Sequence, residues 1–69
     1  MTKKLDLHGV KHDEVDRLVE NFVLMNRPPL TIVTGNSRQM AKLVKKVLDR
    51  HNLEAIKWGY ATWKVLRYV

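Results

Sequence analysis

Sixty-nine residues leave room for one small hydrophobic core and no second one, so residues 1–69 read as a single domain. There is no cysteine, which excludes a disulfide framework and thiolate metal sites, and leaves stability to burial of the 45% of the chain that is apolar. The formal net charge of +6 is uneven: residues 1–26 carry four Lys/Arg against five Asp/Glu, and residues 27–69 carry nine against two. Such a polarised charge favours an anionic partner, either a phosphate backbone or an acidic protein surface.

In chain order, Met1-Thr2-Lys3-Lys4 is basic but leads into Leu5-Asp6-Leu7-His8, which lacks the apolar core and cleavage site of a secretory signal. The longest uncharged apolar run, Phe22 to Met25, falls far short of the ~18 residues of a membrane helix. A soluble, cytoplasmic protein is therefore expected, with no membrane partner. Lys3 to Leu7 predicts a first strand, with Leu5 and Leu7 on one face and Asp6 on the other. From Asp13 to about Asn26, Val15, Leu18, Val19, Phe22 and Met25 recur at helical spacing, and Asp13, Glu14 and Asp16 suit the positive end of a helix.

Pro28-Pro29 ends that helix, and Leu30-Thr31-Ile32-Val33 is a β-branched run of strand length that stops at Gly35. Met40, Val44, Val47 and Leu48 predict a second helix reaching His51-Asn52, with Asn36 or Ser37 as its N-cap. The tail from Leu53 to Val69 is rich in β-formers and breaks near Gly59-Tyr60-Ala61, so it reads as two strands. The expected fold is α/β: a compact two-layer sandwich in βαβαββ order, with a mixed four-stranded sheet carrying two helices. Its core is expected to bury Leu5, Leu7, Val15, Leu18, Val19, Phe22, Ile32, Val44, Val47 and Ile56 together.

Three motifs stand in register with these elements. Leu5-Asp6-Leu7-His8-Gly9 opens the chain before the first helix; Thr31-Ile32-Val33-Thr34-Gly35-Asn36-Ser37 joins the second strand to a basic helix; Ala61-Thr62-Trp63-Lys64-Val65-Leu66 lies in the last strand. Together they resemble the LDLHG signature, the Thr/His-Gly-x-Gly loop and the Ala-Thr-x-x-x-Leu run of the Smr (small MutS-related) domain, over nearly the whole chain. Ser37 stands where that family usually has the second glycine of the loop, and Tyr60 where a glycine tends to precede Ala-Thr. The resemblance implies nucleic-acid binding, with nicking or endonuclease activity on DNA or RNA in some members.

The chemistry open to these residues follows from their types. Asp6 and His8 are two apart, so on a strand they project to one side: a histidine can carry the proton in phosphodiester cleavage, while a carboxylate orients the imidazole or holds a divalent metal such as Mg2+. The alternative is structural, with Asp6 accepting backbone hydrogen bonds and His8 tying two loops together. Thr34, Gly35, Asn36 and Ser37 lie between a strand and a helix N-terminus, where free N–H groups can hold a phosphate, or where Gly35 supplies a positive φ and Ser37 a cap. Arg38, Lys42 and Lys45 fall near one face of the second helix and are the candidate phosphate contacts. Trp58, Tyr60 and Trp63, with Lys57 and Lys64 beside them, serve either as core or as rings that stack on unpaired bases.

His8, His12 and His51 have no cysteine beside them and no H-E-x-x-H spacing, so a structural zinc site is not expected. Walker-type and dinucleotide-binding glycine patterns are missing, which argues against a nucleotide-dependent enzyme. The expectation is a nucleic-acid-binding domain that nicks structured or single-stranded DNA or RNA. A non-catalytic nucleic-acid-binding module, or an adaptor for a ribosomal or acidic protein surface, is the alternative.

Overall fold

The computed structural model describes residues 3–59 and 61–69. The elements follow in the expected order: β1 (Lys3–Asp6), α1 (His12–Met25), β2 (Leu30–Val33), α2 (Arg38–Arg50), β3 (Leu53–Trp58) and β4 (Thr62–Tyr68). They build an α/β fold with one mixed four-stranded sheet in the order β1-β2-β4-β3. β1 and β2 are parallel, and β4 is antiparallel to both β2 and β3. Consequently β1, β2 and β3 all run the same way, and their C-terminal ends share one edge of the sheet.

Register turns this into rows of side chains. Leu5, Ile32, Trp63 and Lys57 pair across the four strands, as do Asp6, Val33, Thr62 and Trp58 in the next row. Because side chains alternate along a strand, the first row faces one way and the second the other. Leu30, Ile32, Val65 and Leu53 join Val15, Val19 and Val23 of α1 and Met40, Val44, Val47 and Leu48 of α2 in one buried cluster. Both helices therefore cover a single face, and the row ending in Trp58 belongs to the open one.

Each helix is placed by local chemistry as well as by its apolar stripe. In α1, Val15, Val19 and Val23 recur every four residues, Asp13 and Glu14 occupy the first turn, and Asn26 closes the end by donating its side-chain N–H to the Phe22 carbonyl at 2.9 Å. In α2 the Ser37 hydroxyl caps the start by accepting the Met40 N–H at 3.0 Å. Arg50 of α2 reaches across to Asp16 at 2.8 Å and Glu20 at 3.2 Å of α1, and the His51 ring meets Glu20 at 3.1 Å.

Of the ten residues expected in the core, Leu7, Val15, Val19, Ile32, Val44 and Val47 are fully buried, and Leu5, Leu18 and Phe22 pack against them half-buried. Ile56 is the exception at 44% exposed. It pairs with Lys64 on the open face, because Leu53 and Ala55 take the inward positions of β3 and a register shift between Glu54 and Ala55 fixes the phase. Among the described residues, no helix is long and apolar enough to cross a membrane.

Candidate functional site

Three loops meet at the edge where β1, β2 and β3 end: the turn after Asp6, the segment 34–37 that enters α2, and the β3–β4 hairpin around Gly59. The first turn is held from within. β1 stops at Asp6, whose carboxylate accepts the His8 backbone N–H at 2.9 Å, while the buried Leu7 donates its N–H to the Val33 carbonyl at 2.8 Å. The hydrogen bond between Asp6 and His8 thus runs to the backbone and not to the imidazole. An orienting contact of Asp6 on the ring, expected from strand alternation, is not made because the strand ends before His8.

His8 nevertheless faces the second loop. A Cβ built on Gly35 would lie 3.9 Å from the His8 ring carbon Cδ2, so the exposed imidazole stands over this glycine. Gly35 has φ +68°, which strains any residue with a side chain. Its neighbour Ser37 has φ −84°, so that position requires no glycine, and serine fills it as a helix cap.

Two of the loop amides are committed to the hairpin. The N–H groups of Thr34 and Gly35 both donate to the Ala61 carbonyl, at 2.6 and 3.2 Å, and the buried Thr34 hydroxyl lies 3.1 Å from the same oxygen. The loop N–H groups expected to hold a phosphate instead lock the loop to the hairpin. The helix's own ladder begins with the Ala41 N–H on the Ser37 carbonyl, and the Ser37 hydroxyl takes the Met40 N–H, so the Arg38 and Gln39 N–H groups precede the ladder in the first turn of α2.

Beside that turn a cleft of about 560 Å³ is lined by Asn36, Ser37, Arg38, Ala41, Lys42 and Lys57. Arg38 and Lys42 are one helical turn apart, and Lys57 comes from the row of β3 that faces the helices, its ammonium 5.4 Å from the centre of the Trp63 ring. Three cations on two elements therefore border one concave surface. The helical spacing that groups Arg38 and Lys42 does not reach Lys57, which alternation in β3 separates from Ile56 and Trp58 and turns to the helix side. Lys45 does not line this cleft; its ammonium pairs with Asp49 at 3.0 Å one turn further along α2.

The aromatic residues divide between the two faces. Trp63 packs inward against the core, and its indole N–H is buried with no hydrogen-bond partner, whereas Trp58 is 58% exposed on the open face. Tyr60 lies outside the described residues. His8, His12 and His51 sit respectively in the turn after β1, at the start of α1 and at the end of α2. Among the described residues no three His, Cys, Asp or Glu side chains gather into a metal-holding group.

Comparison with protein-family models, curated proteins and solved structures finds no match.

Proposed function

We propose that this chain is a nucleic-acid-binding domain of the Smr type, working in the cytoplasm, that grips a phosphate backbone in the cleft bordered by Arg38, Lys42 and Lys57. The observation that carries the reading is the convergence of these three cations, from α2 and β3, at the first turn of α2. Backbone N–H groups there add to the side-chain charge, and the helix dipole favours an anion at the same end. Asn36 and Ser37 also line the cleft, and Gly35, with the His8 ring near it, is the residue before Asn36.

Binding is tested by fluorescence anisotropy of labelled DNA and RNA at several salt concentrations, with polyphosphate as competitor. Affinity falling steeply with salt supports the reading, since phosphate contacts act through counterion release. Binding that is insensitive to salt, or that only an acidic protein and no polyanion can reproduce, rejects it in favour of an adaptor.

Nicking is a second reading, favoured by one observation: the exposed His8 ring stands over Gly35 beside the cleft. In it His8 takes a proton from the attacking water or gives one to the leaving oxygen, while Asp6 holds the turn that presents the ring. A cleavage panel of DNA and RNA structures, with and without Mg2+ and beside His8→Ala, decides the matter. Loss of cutting by about 100-fold with binding retained supports a proton-transfer role, and a chain that binds but cuts nothing removes it.

A further inference from the structure

The β3–β4 hairpin presents its two sides to different surroundings. β3 is an edge strand, so consecutive residues near its end point to opposite faces with no neighbouring strand beyond them. Lys57 borders the basic cleft on the helix side, and Trp58, the next residue, emerges on the open face. A chain lying in the cleft has only to pass the sheet edge to reach the Trp58 ring.

The open face is furnished around that ring. Lys64 sits on the adjacent strand with its ammonium 4.0 Å from the centre of the Trp58 indole, close enough for a cation–π contact that keeps one positive charge beside the ring. The row Lys4, Thr31, Lys64 and Ile56 runs across all four strands next to the row that ends in Trp58. Nearest the ring it supplies Lys64 and Ile56, which is 44% exposed beside Trp58, with the Thr31 hydroxyl and Lys4 further along the row. Of the carboxylates that alternation places on this face, Glu54 pairs with Arg67 at 3.2 Å, and Asp6 lies at the opposite end of the Trp58 row, three strand spacings away or about 14 Å.

An exposed aromatic ring beside Lys64, one strand edge away from the basic cleft, matches what unpaired bases require: a ring for the base and a charge for its phosphate. A duplex does not fit this demand, since its base faces are already stacked. Resting on the nucleic-acid-binding reading above, we propose that the open face at Trp58 is a stacking platform that makes single-stranded nucleic acid the preferred ligand, with Lys64 contacting the phosphate of the stacked nucleotide.

The test uses the full chain and three probes of similar charge: an oligothymidylate or oligouridylate, a blunt duplex, and inorganic polyphosphate. In a Trp63→Phe background Trp58 is the remaining tryptophan, and its emission should be quenched by the single strand and not by polyphosphate. Trp58→Ala in the otherwise unchanged chain should weaken single-strand binding about 5- to 150-fold, the range that one base stacked on an aromatic ring supplies, while polyphosphate affinity stays the same. Trp58→Phe should restore most of the loss. Single-strand binding that depends on Arg38 and Lys42 but leaves Trp58 emission and Trp58→Ala affinity unchanged overturns the platform and spares the cleft. Equal quenching by the duplex overturns the single-strand preference, and failure of all three probes to bind overturns both the platform and the nucleic-acid reading.

Discussion

The Ala61 carbonyl takes the Thr34 N–H at 2.6 Å, with the Thr34 hydroxyl 3.1 Å away from the same oxygen. This contact ties the loop entering α2 to the far end of the hairpin, 27 residues later. Thr34 is 3% exposed, so its hydroxyl has little access to water to replace that bond. Thr34→Val keeps the shape and removes the hydroxyl, and should cost about 0.5–1.5 kcal/mol in urea denaturation. An unchanged midpoint would mean that the two N–H donors alone hold the carbonyl.

The two helices are joined by charge as well as by apolar packing. The Arg50 guanidinium, hydrogen-bonded to Asp16, holds that carboxyl below its ordinary range. A carboxyl whose pKa is lowered in the folded state stabilises the fold above its unfolded pKa, and that contribution disappears as pH falls through the lowered value. Asp16→Asn should therefore be less stable than the wild type at neutral pH, and the gap should close on acidification below about pH 4. Both partners are substantially exposed, so the difference is expected to be small and to shrink with added salt. A gap that stays constant from pH 7 to pH 3 would assign the effect to helix propensity instead.

Periodicity carried most of the fold. The stripes of α1 and α2, the strand that stops before Gly35 and the break at Gly59 are all local signals, and they survive folding because each is set by the residues of its own segment. What a single segment does not contain is which strand lies beside which, and the insertion of β4 between β2 and β3 depends on that. Ile56 illustrates the cost: hydrophobicity alone favours burial, whereas its face is fixed by Leu53 and by pairing with Lys64. In α1 the expected Phe22 packs half-buried against the core, while Val23, four residues after Val19, is buried beside it.

The site was legible to the same extent. Arg38, Lys42 and Ser37 follow from helix spacing and capping chemistry. The commitment of the Thr34 and Gly35 amides to Ala61 depends on a contact distant in sequence. Lys45 had a local warning, since Asp49 four residues later is well placed to pair with it.

If the cleft holds phosphate, Arg38→Ala with Lys42→Ala should lower the slope of log affinity against log salt by about 1.4 for a single strand, two contacts at about 0.7 each. Lys45→Ala should leave the slope nearly unchanged, because Lys45 is paired with Asp49 away from the cleft. Anisotropy titrations at four salt concentrations are sufficient. A slope that drops as much for Lys45→Ala as for the pair would move the binding face along α2.

Removing the indole of Trp63 should be nearly neutral for stability, because two effects oppose each other. Trp63→Phe leaves a smaller ring against the core, and a partly filled space there typically costs about 1–3 kcal/mol. It also deletes a buried indole N–H that has no acceptor, whose desolvation costs about 1–3 kcal/mol in the wild type. A loss well above 3 kcal/mol in thermal or urea unfolding would show that the N–H is satisfied in solution.

Gly35 separates conformation from ligand contact. Its N–H is bonded to Ala61, so a side chain there interferes with folding through φ +68° more than through a lost phosphate amide. A Cβ at this position meets the His8 ring at 3.9 Å, an ordinary contact, so no clash is added. Gly35→Ala should then cost about 1–2 kcal/mol of stability from the left-handed backbone, and Gly35→Asn less, since asparagine tolerates that region. Polyphosphate affinity of folded Gly35→Asn should match the wild type. Gly35→Val adds a branched side chain and should be the least stable of the three. If Gly35→Asn folds well yet loses polyphosphate binding tenfold or more, the phosphate approaches the glycine itself, and the cleft extends to the His8 ring instead of ending at the first turn of α2.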